Sequence, residues 1–166
     1  MSNRIPLTPP EIVPIADDNR PLWSVMIPTY NCIQFIQAAL ESVLQQDPGA
    51  DVMQIEVVDD GSNDGDVEGL VQEIGKGRVL FYRQPQNRGS LRNFETCLNR
   101  ATGKWVHLLH GDDMLKEGFY KEIQTLFQAH PQAGAAFVKN AYINAQGYET
   151  GIERQLIDEP GILPNW

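Results

Sequence analysis

The sequence predicts an α/β fold, a mostly parallel sheet flanked by helices, and three observations carry that prediction. Short apolar runs alternate with stretches of helical periodicity from residue 22 to residue 129, and parallel strands need helix-length connections of this kind. Each apolar run ends in a polar turn, which puts those turns on one edge of the sheet, where open α/β sheets collect ligands. The run Val106-His107-Leu108-Leu109 leads straight into His110-Gly111-Asp112-Asp113, so two adjacent carboxylates stand at that edge.

The elements follow in order. Trp23-Ser24-Val25-Met26-Ile27 reads as the first strand, ended by Pro28-Thr29-Tyr30-Asn31, and Ile36, Leu40, Val43 and Leu44 then recur at helical spacing. Ile55-Glu56-Val57-Val58 is a second strand running into the polar turn 59–65, after which Val67, Leu70, Val71 and Ile74 mark a second helix. Val79-Leu80-Phe81-Tyr82 leads through Asn87-Arg88-Gly89 to a helix carrying Phe94, Cys97, Leu98 and Ala101. The strand before Asp112 is the fourth, with His107 core-facing or sheet-facing. A further helix has Phe119, Ile123, Leu126 and Phe127 on its apolar side and Glu117 and Glu122 toward solvent. Ala133-Gly134-Ala135-Ala136-Phe137-Val138 reads as another strand, extended or followed by Ala141-Tyr142-Ile143-Asn144. Asn144-Ala145-Gln146-Gly147-Tyr148 reads as a hairpin turn, with Gly147 able to take a positive φ.

Strand ends at Ile27, Val58, Tyr82 and Leu109 allow Tyr30, Asp59, Asp60, Arg88, Asp112 and Asp113 to converge, although they are far apart in the chain. Hard oxygen ligands in ones and twos, completed by phosphate oxygens and water, are what Mg2+ or Mn2+ takes when it works on a nucleotide. Each turn also has a plainer reading. Gly-Asp-Asp is ordinary turn composition, the 60–62 turn can simply start a helix with Asp64 as N-cap, and Gly89 can serve only to supply a positive φ.

Together, Pro28-Thr29-Tyr30-Asn31, Val57-Val58-Asp59-Asp60-Gly61-Ser62-Asn63-Asp64-Gly65, Asn87-Arg88-Gly89, Arg92-Asn93, Ala101-Thr102-Gly103 and Leu109-His110-Gly111-Asp112-Asp113 resemble the successive signatures of family 2 glycosyltransferases of GT-A fold. The order and spacing match from residue 23 to about residue 140. The resemblance implies a GT-A (Rossmann-like) nucleotide-sugar-binding half and inverting transfer of a sugar from a nucleoside diphosphate sugar, usually a UDP-sugar, to an acceptor hydroxyl with Mn2+ or Mg2+. It implies that Pro28 and Tyr30 line the base pocket, with Thr29 in the nucleotide-sugar site, that Asp59 accepts a hydrogen bond from the base with Asp60 supporting the turn, and that Arg88 lies near base or phosphates. Asp112 matches the metal-ligating carboxylate and Asp113 the acidic residue that follows it. His110 departs from the pattern by standing where the first carboxylate belongs, and the resemblance favours a ribose or outer-shell role for it over direct ligation.

The family's general base comes later than the metal motif. Of Glu117, Glu122, Glu149, Glu153, Asp158 and Glu159, none sits in a matching pattern, so the chain reads as a truncated donor half with its catalytic base elsewhere. Residues 1–21 read as a proline-rich arm or linker, 22–150 as the nucleotide-sugar-binding domain and 151–166 as a tail opening a missing acceptor region. A saccharide or lipid-linked acceptor is expected, with peripheral membrane association open to the full-length protein.

Composition narrows the alternatives. Twenty-two acidic against 13 basic residues give a net charge of −9, which speaks against a nucleic-acid binder, whose affinity rests on Lys and Arg. Cys32 and Cys97 lack zinc-ligand or redox-pair spacing, and Cys97 lies on an apolar helix face as a small hydrophobe. No segment is apolar for long enough to span a membrane, so a cytoplasmic place is expected. A sugar nucleotidyltransferase would also put acidic metal ligands at such an edge, but should carry a glycine-rich turn and a Lys or Arg soon after the first strand, where Pro28-Thr29-Tyr30-Asn31 stands instead. A non-catalytic nucleotide-sugar-binding fragment is the other alternative.

Overall fold

A computed structural model describes residues 8–154 and 161. The arm before residue 8 and most of the tail, including Asp158 and Glu159, lie outside the described residues. The chain divides into two compact units after Glu117, a boundary inside the span 22–150 expected as one domain.

The first unit runs β1 (Trp23–Thr29), α1 (Ile33–Leu44), β2 (Met53–Asp59), α2 (Val67–Gly75), β3 (Leu80–Arg83), α3 (Ser90–Arg100) and β4 (Trp105–Leu108). The strands form one sheet in the order β3-β2-β1-β4, and every neighbouring pair is parallel. Central β1 is buried at all seven positions and β2 nearly so, which is why both read as unbroken rather than alternating apolar runs. The edge strands β3 and β4 are short and partly exposed. Helices α1 and α3 turn Ile36, Leu40, Val43 and Cys97 inward, and Cys97 packs with Met26, Val58 and Ala101.

Two buried polar residues on the central strands are matched by partners, as burial demands. Ser24 Oγ donates to Gln54 Oε1 at 2.5 Å and accepts from Gly103 N at 2.6 Å. Glu56 meets Arg100 at 2.5–2.6 Å, and that guanidinium stacks 4.0 Å over Tyr82. Pro28 inside a central strand is tolerated because its carbonyl faces the β4 side, accepting from Gly111 N at 3.2 Å. Regular pairing with β4 has already ended at Met26–Leu108, so the missing N–H leaves no ladder bond unmade.

Helix α2 corrects one expectation. Its N-cap is Asp66, whose side chain accepts from Gly69 N at 2.9 Å, whereas Asp64 accepts from Ile33 N at the start of α1. The carboxylate that looked like a local cap satisfies an orphan donor of a different helix.

The second unit holds α4 (Phe119–Ala129) and the antiparallel hairpin β5 (Ala141–Ile143) and β6 (Glu149–Ile152). The hairpin turn lies where the Asn-Ala-Gln-Gly-Tyr segment put it: Gly147 has φ +81°, and Asn144 Oδ1 accepts from the amides of Gln146 and Tyr148 at 3.0 Å. The strand expected at 133–138 does not form. Its first four residues are Ala and Gly, poor strand formers, and residues 134–138 are exposed without a ladder partner among the described residues. No helix of the described residues is long and apolar enough to cross a membrane.

Candidate active site at the carboxyl edge of the sheet

Parallel pairing brings the strand ends together in register. Thr29 pairs with Asp59 and Asp59 with Arg83. Backbone bonds continue past the strands: Asp60 N donates to Thr29 O, Gln84 N to Asp59 O, Leu109 N to Met26 O and Gly111 N to Pro28 O. The turns carrying Tyr30, Asp60 and Asp112 therefore hang from the same central strand.

The turn after β2 is a closed carboxylate network. Asp59 is 0% exposed; its oxygens accept from Ser62 N at 3.2–3.3 Å and from Ser62 Oγ, and Arg83 Nη1 lies 3.3 Å from Oδ2. Asp60, 2% exposed, accepts from Arg88 N and Gly89 N, one bond to each oxygen, both at 2.8 Å. Gly61 adopts φ +76°, and a Cβ there would come 3.2 Å from Asn87 N, so the 59–62 and 87–89 turns touch backbone to backbone. Both oxygens of Asp59 are thus engaged within the protein, by Ser62 and Arg83. Pro28 and Thr29 are likewise buried. Tyr30 is 49% exposed and Arg88 is exposed with no side-chain hydrogen bond or ion pair among the described residues, so these two stand open at the edge.

The turn after β4 is built the other way. His110, Asp112 and Asp113 are all exposed, and one ligand atom from each falls within 4.8 Å of the others. Neither aspartate side chain has a hydrogen-bond or ion-pair partner among the described residues. Gly111 makes the placement possible, because a Cβ there would lie 2.8 Å from Thr29 Oγ1 and 2.9 Å from Cys32 Sγ. The His110 ring packs on Phe94 of α3, centroids 5.2 Å apart and planes at 44°.

The field at this edge is negative. Cys32, buried beneath the turn, has its thiol pushed up to about 11, first by burial and then by the charges of Asp112, Asp64 and Asp59. It is a protonated packing residue, and the same field favours a cation. His107 in β4 is pushed down to about 4 by burial and stays neutral. Two carboxylates and an imidazole at this spacing fit a hard-to-borderline divalent ion such as Mn2+, with coordination positions left for diphosphate oxygens and water.

Several contributors were not singled out in the sequence. Arg83, which no motif contains, closes the Asp59 network with Ser62, and Asn31, at φ +50°, ties its turn to Ser62 and Asn63, Ser62 and Asn31 having been noted only within motifs. Asn93, noted only as part of a motif, donates through Nδ2 to Val58 O at 2.8 Å from a buried position. Its signal was present: a polar residue four before Cys97 sits on the buried helical stripe. Nothing local marks the Phe94 to His110 contact.

Comparison with known proteins agrees with this geometry. The profile described as Glycosyl transferase family 2 matches residues 24–157. An uncharacterised glycosyltransferase of Mycoplasma genitalium is 34% identical over 113 residues, covering 66% of this chain and 37% of that protein. Among solved structures, Staphylococcus aureus TarS is similar with a TM-score of 0.60 and 25% identity, over 66% of this chain and 20% of that one. The mannosyltransferase PcManGT of Pyrobaculum calidifontis, solved with GDP-Man and Mn2+, is similar with a TM-score of 0.51 and 26% identity, over 65% of this chain and 32% of that one. The chain spans 36–41% of the length of the first curated relatives it matches, and its sheet is the GT-A type of its structural neighbours. With the profile covering most of its length, the chain belongs to glycosyl transferase family 2.

Proposed function

We propose that this chain is the nucleotide-sugar-binding half of an inverting, metal-dependent glycosyltransferase. Its donor is a nucleoside diphosphate sugar, with uridine as the nucleoside, and its acceptor is a hydroxyl of a saccharide or of a lipid-linked saccharide. The observation that carries this reading is the His110, Asp112 and Asp113 cluster, exposed at the carboxyl edge and hung from the strand that leads into Tyr30. The Mn2+ and GDP-Man of PcManGT support a divalent ion and a diphosphate sugar for a fold of this kind.

Each open residue has a task that its chemistry suits. The Tyr30 ring offers a face for the nucleobase, and the Arg88 guanidinium offers donors to phosphate oxygens. Buried Asp60 keeps the Arg88 loop in place through two amide bonds. A divalent ion held by Asp112 and Asp113, when bound, would neutralise charge developing on the leaving diphosphate, a Lewis-acid contribution of several kcal/mol in typical sites. The general base is assigned to no residue of this chain.

Calorimetric titration of UDP, GDP and dTDP, with and without Mn2+ at one ionic strength, tests the reading. Selective UDP binding strengthened by Mn2+ is expected. A preference for GDP would move the nucleoside alone, and absence of binding by all three would overturn the donor site. Metal-enhanced binding without transfer or donor hydrolysis would make the chain a non-catalytic binding module.

A further inference from the structure

We infer that His110 ligates the divalent ion directly, as the nitrogen member of a mixed imidazole and dicarboxylate set, and that Phe94 is the positioning residue that holds its ring there. The inference rests on the metal-dependent reading above and goes beyond it in naming a ligand, a positioning contact and a metal preference.

Three observations converge. One ligand atom from each of His110, Asp112 and Asp113 lies within 4.8 Å of the other two; metal–ligand bonds of about 2.1 Å put neighbouring donors about 3 Å and opposite donors about 4.2 Å apart, so side-chain rotations that move the ligand atoms by about 1–2 Å close the set. Of the other carboxylates of the edge, Asp59 and Asp60 are buried and bonded to Ser62, Arg83, Arg88 and Gly89, and Asp64 accepts from Ile33 N at the start of α1. An ion arriving here has the β4 turn as its open acidic partner. Finally, the ring of His110 rests on Phe94, centroids 5.2 Å apart. An aromatic face beside an otherwise exposed imidazole limits its rotamers, the task that outer-shell contacts perform for ligating histidines elsewhere.

The consequence is chemical. An imidazole where the family pattern has a carboxylate removes one negative charge from a site that must also admit a diphosphate. Nitrogen donors suit transition ions, whereas Mg2+ favours oxygen ligands and parts reluctantly with its water. The set should therefore take Mn2+ ahead of Mg2+ through His110.

Pulsed electron paramagnetic resonance on Mn2+ bound to the full chain, with and without UDP, tests this without any turnover. The expected result is nitrogen-14 modulation from a directly bound imidazole, lost in His110→Asp. That variant keeps an oxygen donor, and its ratio of Mn2+ to Mg2+ affinity should fall about tenfold. Phe94→Leu should weaken Mn2+ binding and the modulation together, and Phe94→Tyr, which keeps the ring, should restore both. Mn2+ that binds, depends on Asp112 and shows no nitrogen coupling would overturn the inference while leaving the donor-site reading intact. Failure of Mn2+ to bind under any condition would overturn both.

Discussion

Two pairs of adjacent aspartates follow β2 and β4, the strands that flank β1, at the same sheet edge, and they are built in opposite ways. Asp59 and Asp60 are buried and saturated with donors. Asp112 and Asp113 are exposed and accept from no donor among the described residues. A buried carboxylate with two amide donors is a structural element whose loss leaves unsatisfied backbone, while an exposed one keeps its lone pairs for something that arrives. Residue type and strand position place a carboxylate at the edge, and burial decides whether its oxygens are taken up by the protein or left open.

The largest expected effect separates the two pairs by stability. Asp60→Ala strands the amides of Arg88 and Gly89 and should destabilise the fold by about 3 kcal/mol or more, read as a lower midpoint in urea unfolding. An effect under about 1 kcal/mol would break the contrast.

Next comes the strand that carries the open turn. His107 is held near 4 by burial, against about 6.5 when unfolded. Its contribution to stability is therefore complete above pH 6.5, declines as the pH falls toward about 4, and is then constant, because the unfolded state takes up the proton first. The loss is at most about 3 kcal/mol. Comparing unfolding of wild type and His107→Gln between pH 7 and 4 should show a shallower pH slope in the variant. Equal slopes would mean that β4 is less buried than its turn's anchorage requires.

Gly111→Ala should cost about 2 kcal/mol, because the new methyl meets Thr29 and Cys32, and it should also weaken Mn2+-dependent nucleotide binding by shifting the turn. Normal thermal stability with normal binding would show that the turn has room to give.

The smallest effect on the fold, and the sharpest on binding, belongs to Asp112→Asn. Its stability should change by no more than about 0.5 kcal/mol, while calorimetry should show the metal-enhanced part of nucleotide affinity lost. Unfolding of this variant would erase the distinction between the two pairs.

Much of this was legible before any coordinates. Short apolar runs and period-3.6 patterns located four parallel strands and the helices between them, since apolar burial on a central sheet leaves nearly unbroken runs such as Val25-Met26-Ile27 and Val57-Val58. The hairpin turn at Asn144 to Tyr148 was legible because its chemistry is local. The strand expected at 133–138 was misread because apolar composition alone does not supply a pairing partner, and Asp64 because its recipient amide lies on another helix.

The sequence by itself determined the α/β class, the family likeness and the placing of Tyr30, Arg88, His110 and Asp112 at one sheet edge, because these follow from periodicity and from the fixed direction of parallel strands. Only the tertiary structure decided that Asp59 turns inward to Ser62 and Arg83, that Asp60 grips the loop of Arg88, and that Phe94 lies against His110. Those contacts join residues 16 to 29 positions apart or set one carboxylate beneath its own turn, and burial and hydrogen-bond partners of that kind come into existence only when separate segments are brought together in space.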